Sequence, residues 1–185
     1  MLTRIQLEKI LKSRSSLFIN IESSELNIAS VLIILFFKKK ILHVILTKRS
    51  SNLRNHAGEI SFPGGGFIPE DKYLINTAIR ETKEEIGIKV PERSILRKLE
   101  NVLTSNSKHI IIPYIALLER SPITVTNIEV EKVLDFPLLK LLKTIEYPCG
   151  YQKRSEVFRY VYEGEVIWGA TARILHQLSQ FMPAG

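Results

Sequence analysis

Two apolar runs in the first third of the chain, separated by three lysines, predict a β-hairpin. Residues 30–37 and 41–48 are rich in Val, Ile, Leu and Phe, which strands favour. Residues 38–40 carry only positive charge and fit a solvated hairpin tip. We therefore expect two largely buried strands joined by an exposed turn.

Other segments have their apolar residues at helical spacing. Residues 2–11 and 170–181 show this spacing and predict a short N-terminal helix and a closing helix. Pro137 can begin a helical turn over 137–142, because proline is tolerated at a first helical position. A longer helix is expected to end at Gly87. Four residues share one side of it at about 100° per residue, and that side is predicted to be buried: Ile75, Ile79, Thr82 and Ile86.

The remaining β-prone runs predict further strands. They are 59–62, which Pro63 ends, followed by 96–103, 110–118, 158–162 and 165–168. Strands and helices mix along the chain without a strict alternation of strand and helix. This order favours an α/β fold in which helices pack on the faces of a mixed sheet.

Length and composition narrow the class of protein. A chain of 185 residues suits one globular domain, taken here as residues 1–185. Its single cysteine, Cys149, cannot form an internal disulfide, which fits a reducing compartment. The longest apolar run, residues 31–37, is too short to span a bilayer. We expect a soluble cytoplasmic protein with no membrane partner.

The charge balance favours an anionic ligand. The chain has 26 Lys and Arg against 19 Asp and Glu, a net charge of +7, which attracts polyanions over long range. The basic residues are scattered and do not form a stripe with aromatic residues. A small polyanionic ligand is therefore expected, and a nucleic-acid partner is not.

Candidate chemistry is concentrated in residues 64–88, where a glycine loop precedes an acidic helix. Glu81, Glu84 and Glu85 fall within about one third of the helix circumference. Carboxylates gathered on one patch repel each other unless cations neutralise them, and such oxygen ligands suit Mg²⁺ or Mn²⁺. An ordinary solvated acidic helix face is the alternative.

These residues resemble the signature box of the Nudix hydrolases, which cleave a nucleoside diphosphate joined to another group. The box covers 65–88 and includes Arg80-Glu81-x-x-Glu84-Glu85-x-Gly87. The preceding stretch, LTKRSSNLRNHAGEISFPGG over 46–65, is similar to the motif of the coenzyme A pyrophosphatase branch. The likeness continues over 129–138 and 167–175.

The resemblance implies a fold and a reaction. The fold would be the Nudix α/β/α sandwich with a mixed sheet. The reaction would be Mg²⁺- or Mn²⁺-dependent cleavage of coenzyme A or acyl-coenzyme A into 3′,5′-ADP and a 4′-phosphopantetheine species. Alternatives are another Nudix substrate, such as ADP-ribose, a dinucleoside polyphosphate or an oxidised nucleotide, and a catalytically silent module that binds a nucleotide or RNA. The family also makes a homodimer one expected assembly.

The resemblance also implies roles for the box residues. Glu81, Glu84 and Glu85 would hold the metal, and the Gly65 carbonyl would add a backbone ligand. Arg80 would fix the orientation of the glutamates through charge-assisted hydrogen bonds.

Residues outside the acidic helix have two interpretations each. Glu129 is a candidate general base or an exposed charge at a strand end. Arg49 and Arg54 would bind substrate phosphates, together with the Gly64-Gly65 loop, or else form internal ion pairs that brace the loop. His56 is likewise a ligand contact or a structural imidazole.

The spacing of the box leaves its first acidic position open. The usual family spacing places Lys72 there, whereas one extra loop residue places Asp71 there. We favour Asp71, with a role as a helix-flanking cap as the alternative.

Overall fold

The computed structural model describes residues 2–12, 27–53, 56–104, 109–147 and 157–183. Short 3₁₀ turns lie at Pro69–Asp71 and Glu92–Ser94. In chain order the helices and strands are α1 (Arg4–Leu11), β1 (Ile28–Lys38), β2 (Ile41–Arg49), β3 (Ile60–Ser61), β4 (Gly64–Gly66), α2 (Leu74–Ile86), β5 (Ile95–Lys98), β6 (Val102–Leu103), β7 (Ile110–Leu117), β8 (Val130–Pro137), α3 (Leu138–Leu142), β9 (Ile145–Glu146), β10 (Arg159–Tyr162), β11 (Glu165–Ile167) and α4 (Gly169–Ser179).

Strands β1 to β8 form one mixed sheet. Its path is β3-β2-β1-β7-β5, with β4 paired to β1, β6 to β7 and β8 to β2. β1 and β7 run parallel, while the other pairs are antiparallel. Strands β9 to β11 form a smaller antiparallel sheet.

The core has a layer on each face of the large sheet. On one face, Leu32, Ile34 and Phe36 of β1 pack with Ile75 and Ile86 of α2. On the other face the alternate β1 residues pack with helices α1, α3 and α4, including these buried residues: Leu7, Leu11, Leu138, Leu141, Ala172, Ile174, Leu175 and Leu178. Each buried aliphatic side chain of this size contributes about 1.5–3 kcal/mol to folding. The predicted α/β/α sandwich with a mixed sheet is confirmed.

The hairpin predicted over 30–37 and 41–48 is confirmed as β1 and β2, and both strands are largely buried. Its turn falls at Lys39 and Lys40, which both adopt positive φ angles. The helix predicted to end at Gly87 is α2, which ends there.

One strand prediction needs correction, and three strands were not predicted. The single strand expected over 96–103 is wrong, because the structure has two short strands, β5 and β6, on either side of Leu99. The prediction also missed the two-residue strand β9, and it missed β4 and β8. Strand β4 consists only of glycine, which has no strand propensity, and charged residues interrupt the alternation of β8.

Within the described ranges, every helix is too short or too polar to cross a membrane.

Candidate active site

Strand β4 lies against the acidic side of α2 because it has no side chains. A Cβ on Gly64 would lie 2.3 Å from the Ser30 carbonyl oxygen, and the φ of Gly64 is +154°. A Cβ on Gly65 would lie 2.5 Å from the Cδ atom of Glu81. Only glycine therefore allows the backbone between β1 and α2 to pass this close to the Glu81 carboxylate.

Gly65→Ala is expected to lower kcat/KM about 100-fold, because the new methyl group must push the Glu81 carboxylate aside. Hydrolysis rates and thermal unfolding of the variant measure the two effects separately. Gly66→Ala is the matched control, since a Cβ there meets nothing within 4 Å. Equal losses in both variants would contradict the steric argument.

Arg80 connects the box residues through four nitrogen–oxygen contacts to carboxylates. Its Nε and Nη2 donate to the two Asp71 oxygens at 2.9 and 3.0 Å. Its Nη1 donates to Glu81 at 2.8 Å and to Glu84 at 3.0 Å. Nη2 also donates to the Gly66 carbonyl at 3.2 Å. This placement supports the proposed role of Arg80 in orienting the glutamates.

Asp71 is buried, with 6% of its surface exposed. Burial alone would raise its pKa, but hydrogen bonds from Arg80, Thr77 and the Ile68 backbone, with the Arg80 charge, lower the pKa below its ordinary value. The carboxylate is therefore an ionised partner of Arg80, and through Ile68 it also caps the 3₁₀ turn. Lys72, with φ +62°, ends this turn.

Sequence reasoning missed Thr77, which donates to Asp71 Oδ2 at 2.8 Å. Thr77 is fully buried on α2. A threonine near the start of a helix, one turn before an arginine, was the available signal, since a buried hydroxyl needs a partner.

Glu85 is buried, although the sequence placed it on a polar face. Its side chain is 7% exposed and accepts a hydrogen bond from the Gly64 amide at 3.1 Å. Burial raises its pKa to about 7, against the lowering effect of the Gly64 amide and the Arg49 charge. The charges of Glu81 and Glu129 also raise it.

Arg49 faces the same carboxylate from the end of β2. Its Nη1 lies 3.8 Å from Glu85 Oε1, and its Nη2 lies 3.5 Å from Glu129 Oε2. In this arrangement Arg49 forms internal ion pairs, which is one of its two interpretations; phosphate binding, the other, stays a prediction. Arg54 lies outside the described residues. His56 pairs with Glu59 at 3.0 Å in an exposed loop.

In the part of the chain that the structure describes, no three His, Cys, Asp or Glu side chains converge closely enough to hold a metal ion as they stand. Arg80 holds Glu81 and Glu84, whereas Glu85 turns toward Gly64 and Arg49. The convergence expected from the helix geometry is therefore absent from this arrangement. The role of these residues as metal ligands stays a prediction.

The donor set nevertheless fits a hard divalent cation. Glu85 is a buried carboxylate whose ionised form is disfavoured, and Glu81 and Glu129 add further negative charge around it. Oxygen ligands of this kind are those that Mg²⁺ and Mn²⁺ prefer. A cation here would relieve the electrostatic cost that burial and repulsion now place on Glu85.

Comparison with known proteins shows where this chain belongs. The NUDIX domain model matches residues 26–144. An uncharacterized Nudix hydrolase NudL of Photorhabdus laumondii is 38% identical over 144 residues, which is 74% of this chain and 75% of the relative.

Solved structures show the same fold. A MutT/nudix family protein from Enterococcus faecalis superposes with a TM-score of 0.62 at 14% identity, covering 97% of this chain and 74% of that one. The NUDIX domain of Shewanella oneidensis NrtR, solved with ADP ribose, gives 0.57 at 19% identity, covering 85% and 89%. With the domain match and the NudL relative, these findings show that the chain belongs to the Nudix hydrolase family and is a hydrolase of the pyrophosphatase type.

Proposed function

We propose that this enzyme hydrolyses the diphosphate of coenzyme A or acyl-coenzyme A. A water oxygen bonds to one phosphorus, the bridging oxygen leaves with the other, and the products are 3′,5′-ADP and 4′-phosphopantetheine or its acyl form. The observation that carries the proposal is the position of the upstream motif. Its Arg49 lies 3.8 Å from Glu85 of the signature box, and this proximity supports a role for the motif in substrate binding.

We propose Mg²⁺ or Mn²⁺ as the cofactor, held by Glu81, Glu84 and Glu85 with the Gly65 carbonyl. When bound, such an ion neutralises diphosphate charge and lowers the pKa of the attacking water. Arg80, which Asp71 holds, would orient Glu81 and Glu84 of this set.

The remaining roles belong to residues beside the acidic helix. Glu129, whose side chain is 49% exposed, is the candidate base that takes the proton of the attacking water. Arg49 and Arg54 are proposed to bind the phosphates, since guanidinium groups match phosphate oxygens in pairs. Gly64 and Gly65 supply the backbone surface on which the diphosphate rests.

The net charge and the family also suggest a ligand class, a location and an assembly for the enzyme. The net charge of +7 favours a polyanionic nucleotide over a neutral ligand. We also propose a cytoplasmic location and, by family analogy, a homodimer.

Free coenzyme A is expected to be hydrolysed with a kcat/KM at least about tenfold above that of ADP-ribose and 8-oxo-dGTP. The physical reason is that coenzyme A carries a 3′-phosphate on its ribose, separate from its diphosphate, which the arginines of the upstream motif can bind. ADP-ribose lacks such a group, and 8-oxo-dGTP carries all three of its phosphates in one chain. Steady-state rates in Mg²⁺ or Mn²⁺, with products identified by mass spectrometry, test this. Dephospho-coenzyme A shows whether that 3′-phosphate is recognised.

The outcomes separate chemistry from specificity. If ADP-ribose or the oxidised nucleotide leads, Nudix chemistry stands and the coenzyme A proposal fails. If no substrate turns over, a binding module becomes the better description. Glu84→Gln is the control for metal-dependent turnover, because its side chain is 54% exposed and the fold is expected to tolerate the change.

A further inference from the structure

Arg49 lies beside the acidic helix at an irregularity in strand pairing. The register between β2 and β8 shifts between Lys48 and Arg49, as in a β-bulge. The unpaired residue is Glu131 of β8, since Lys48 pairs with Lys132 and Arg49 pairs with Val130. Such a bulge bends its strand and increases the local twist. The Arg49 backbone is fixed there, since its amide donates to the Glu59 carbonyl and its carbonyl accepts from the Gly58 amide.

The guanidinium itself is loosely held. Its closest approaches to Glu85 and Glu129, 3.8 and 3.5 Å, are ion-pair distances but are too long for good hydrogen bonds. Its Nε is buried and has no hydrogen-bond partner among the described residues. Arg80 makes four contacts of 3.0 Å or less to carboxylate oxygens. Arg80 is therefore held in one position by hydrogen bonds, whereas Arg49 is held only by the attraction between opposite charges.

We propose that Arg49 is the internal counter-ion of the metal-free site, that a divalent cation displaces it from Glu85 and Glu129, and that the released guanidinium then binds the substrate diphosphate. This inference rests on the proposed function, because it deepens the roles of the same site. It makes Arg49 a residue whose position depends on the metal.

Electrostatics supports both the displacement of Arg49 by a cation and the binding of the released Arg49 to the diphosphate. In the metal-free protein a buried carboxylate such as Glu85 needs a nearby positive charge, and Arg49 provides it. A divalent cation at the same carboxylates removes that need and repels the guanidinium at short range. The planar fork of Arg49 then matches two phosphate oxygens better than it matches two carboxylates on different elements.

Binding of Mn²⁺ alone, followed by the electron paramagnetic resonance signal of the free ion, tests the displacement without any turnover. Arg49→Gln is expected to bind Mn²⁺ about tenfold more tightly than the wild type, because no resident cation competes. Arg49→Lys keeps the charge and should bind like the wild type. Lys48→Gln is the matched control, since it removes the same charge from a side chain that pairs with Glu165.

A second measurement follows the released arginine. The wild type should bind α,β-methylene-ADP, whose bridged phosphates stand in for the diphosphate and are not hydrolysed, more tightly in Mn²⁺ than in EDTA, and Arg49→Gln should lose most of that gain. Thermal unfolding of each variant confirms that it is folded.

The possible failures are distinguishable. Unchanged or weaker Mn²⁺ binding by Arg49→Gln would overturn the displacement, even if coenzyme A is hydrolysed. Tighter Mn²⁺ binding without hydrolysis of coenzyme A would leave the displacement standing and overturn the proposed substrate. Absence of Mn²⁺ binding by the wild type would overturn the metal requirement and the displacement together.

Discussion

Glu85→Gln is expected to lower kcat about 1,000-fold and, at the same time, to stabilise the metal-free protein at pH 8. The loss of turnover follows from the proposed ligand role, since a bound metal supplies several kcal/mol of transition-state stabilisation and each 1.4 kcal/mol is tenfold in rate. The gain in stability follows from burial. The ionised carboxylate lies in a site where its pKa is raised to about 7.

The raised pKa makes the stability of the metal-free protein fall as the pH rises. Between the ordinary value of 4.5 and about 7, the folded protein holds a proton on Glu85 that the unfolded chain has released. Stability contributed by protonated Glu85 is therefore complete below pH 4.5 and is lost as pH rises through about 7. The corresponding free energy is about 3 kcal/mol. Glutamine carries no charge at any pH, so the variant should escape most of this loss.

Urea unfolding in EDTA at pH 5 and pH 8 measures the effect. We expect the free energy of unfolding of Glu85→Gln to exceed that of the wild type by about 1–3 kcal/mol at pH 8, and the difference to shrink at pH 5. Glu84→Gln should lose turnover without gaining stability, because its side chain is 54% exposed. If Glu85→Gln and wild type unfold alike at pH 8, Glu85 is not a buried anion. If the variant retains metal-dependent turnover, it is not a ligand.

Arg80→Ala is expected to destabilise the protein by about 3 kcal/mol and to lower kcat/KM about 100-fold. Removing the guanidinium leaves Asp71 as a buried carboxylate without its counter-ion, and it releases Glu81 and Glu84 from their present orientation. Removing one partner of a buried ion pair costs about 3–5 kcal/mol of stability. The lower value is expected here because the Arg80 side chain is 26% exposed.

A double-mutant cycle isolates the ion pair. Combining Arg80→Ala with Asp71→Asn should cost less than the sum of the single changes, with a coupling of about 1–2 kcal/mol at pH 7. The pKa of Asp71 is lowered, so the stability from this pair is present above 3.8 and is lost as pH falls through the lowered pKa. Glu70→Gln changes an exposed carboxylate in the same turn and should have no effect. Strict additivity would show that the two residues do not stabilise each other.

The buried side of α2 could be predicted from periodicity, but the burial of Glu85 could not. Ile75, Thr82 and Ile86 are fully buried, as their helical spacing indicated. The same geometry put Glu85 on the acidic side, and a helical projection contains no information about what covers that side. The covering element is β4, whose three glycines carry no hydrophobic signal.

The position of Arg49 next to Glu85 also could not be predicted from the sequence pattern. Arg49 pairs with β8 at a register shift, and β8 is a strand far along the chain in which Glu131 and Lys132 interrupt the apolar alternation. A motif can show that an arginine matters, whereas its partner depends on how two distant strands pair. The partner of Asp71 depended in the same way on the exact length of the loop before α2.

The double pairing of β1 also has a consequence for the order in which the chain folds. Residues 29–31 bond to β4 on one edge and to β7 on the other. β7 is distant in sequence, and the Ser30 hydroxyl reaches the Ile112 carbonyl across 82 positions. A nascent chain that has emerged only through α2 already contains every carboxylate of the box, yet it lacks the neighbour that holds β1 in place. Such long-range parallel pairing forms slowly, so the catalytic pocket should mature late in synthesis. Once formed, the amides of β4 should exchange with solvent only when the whole sheet opens.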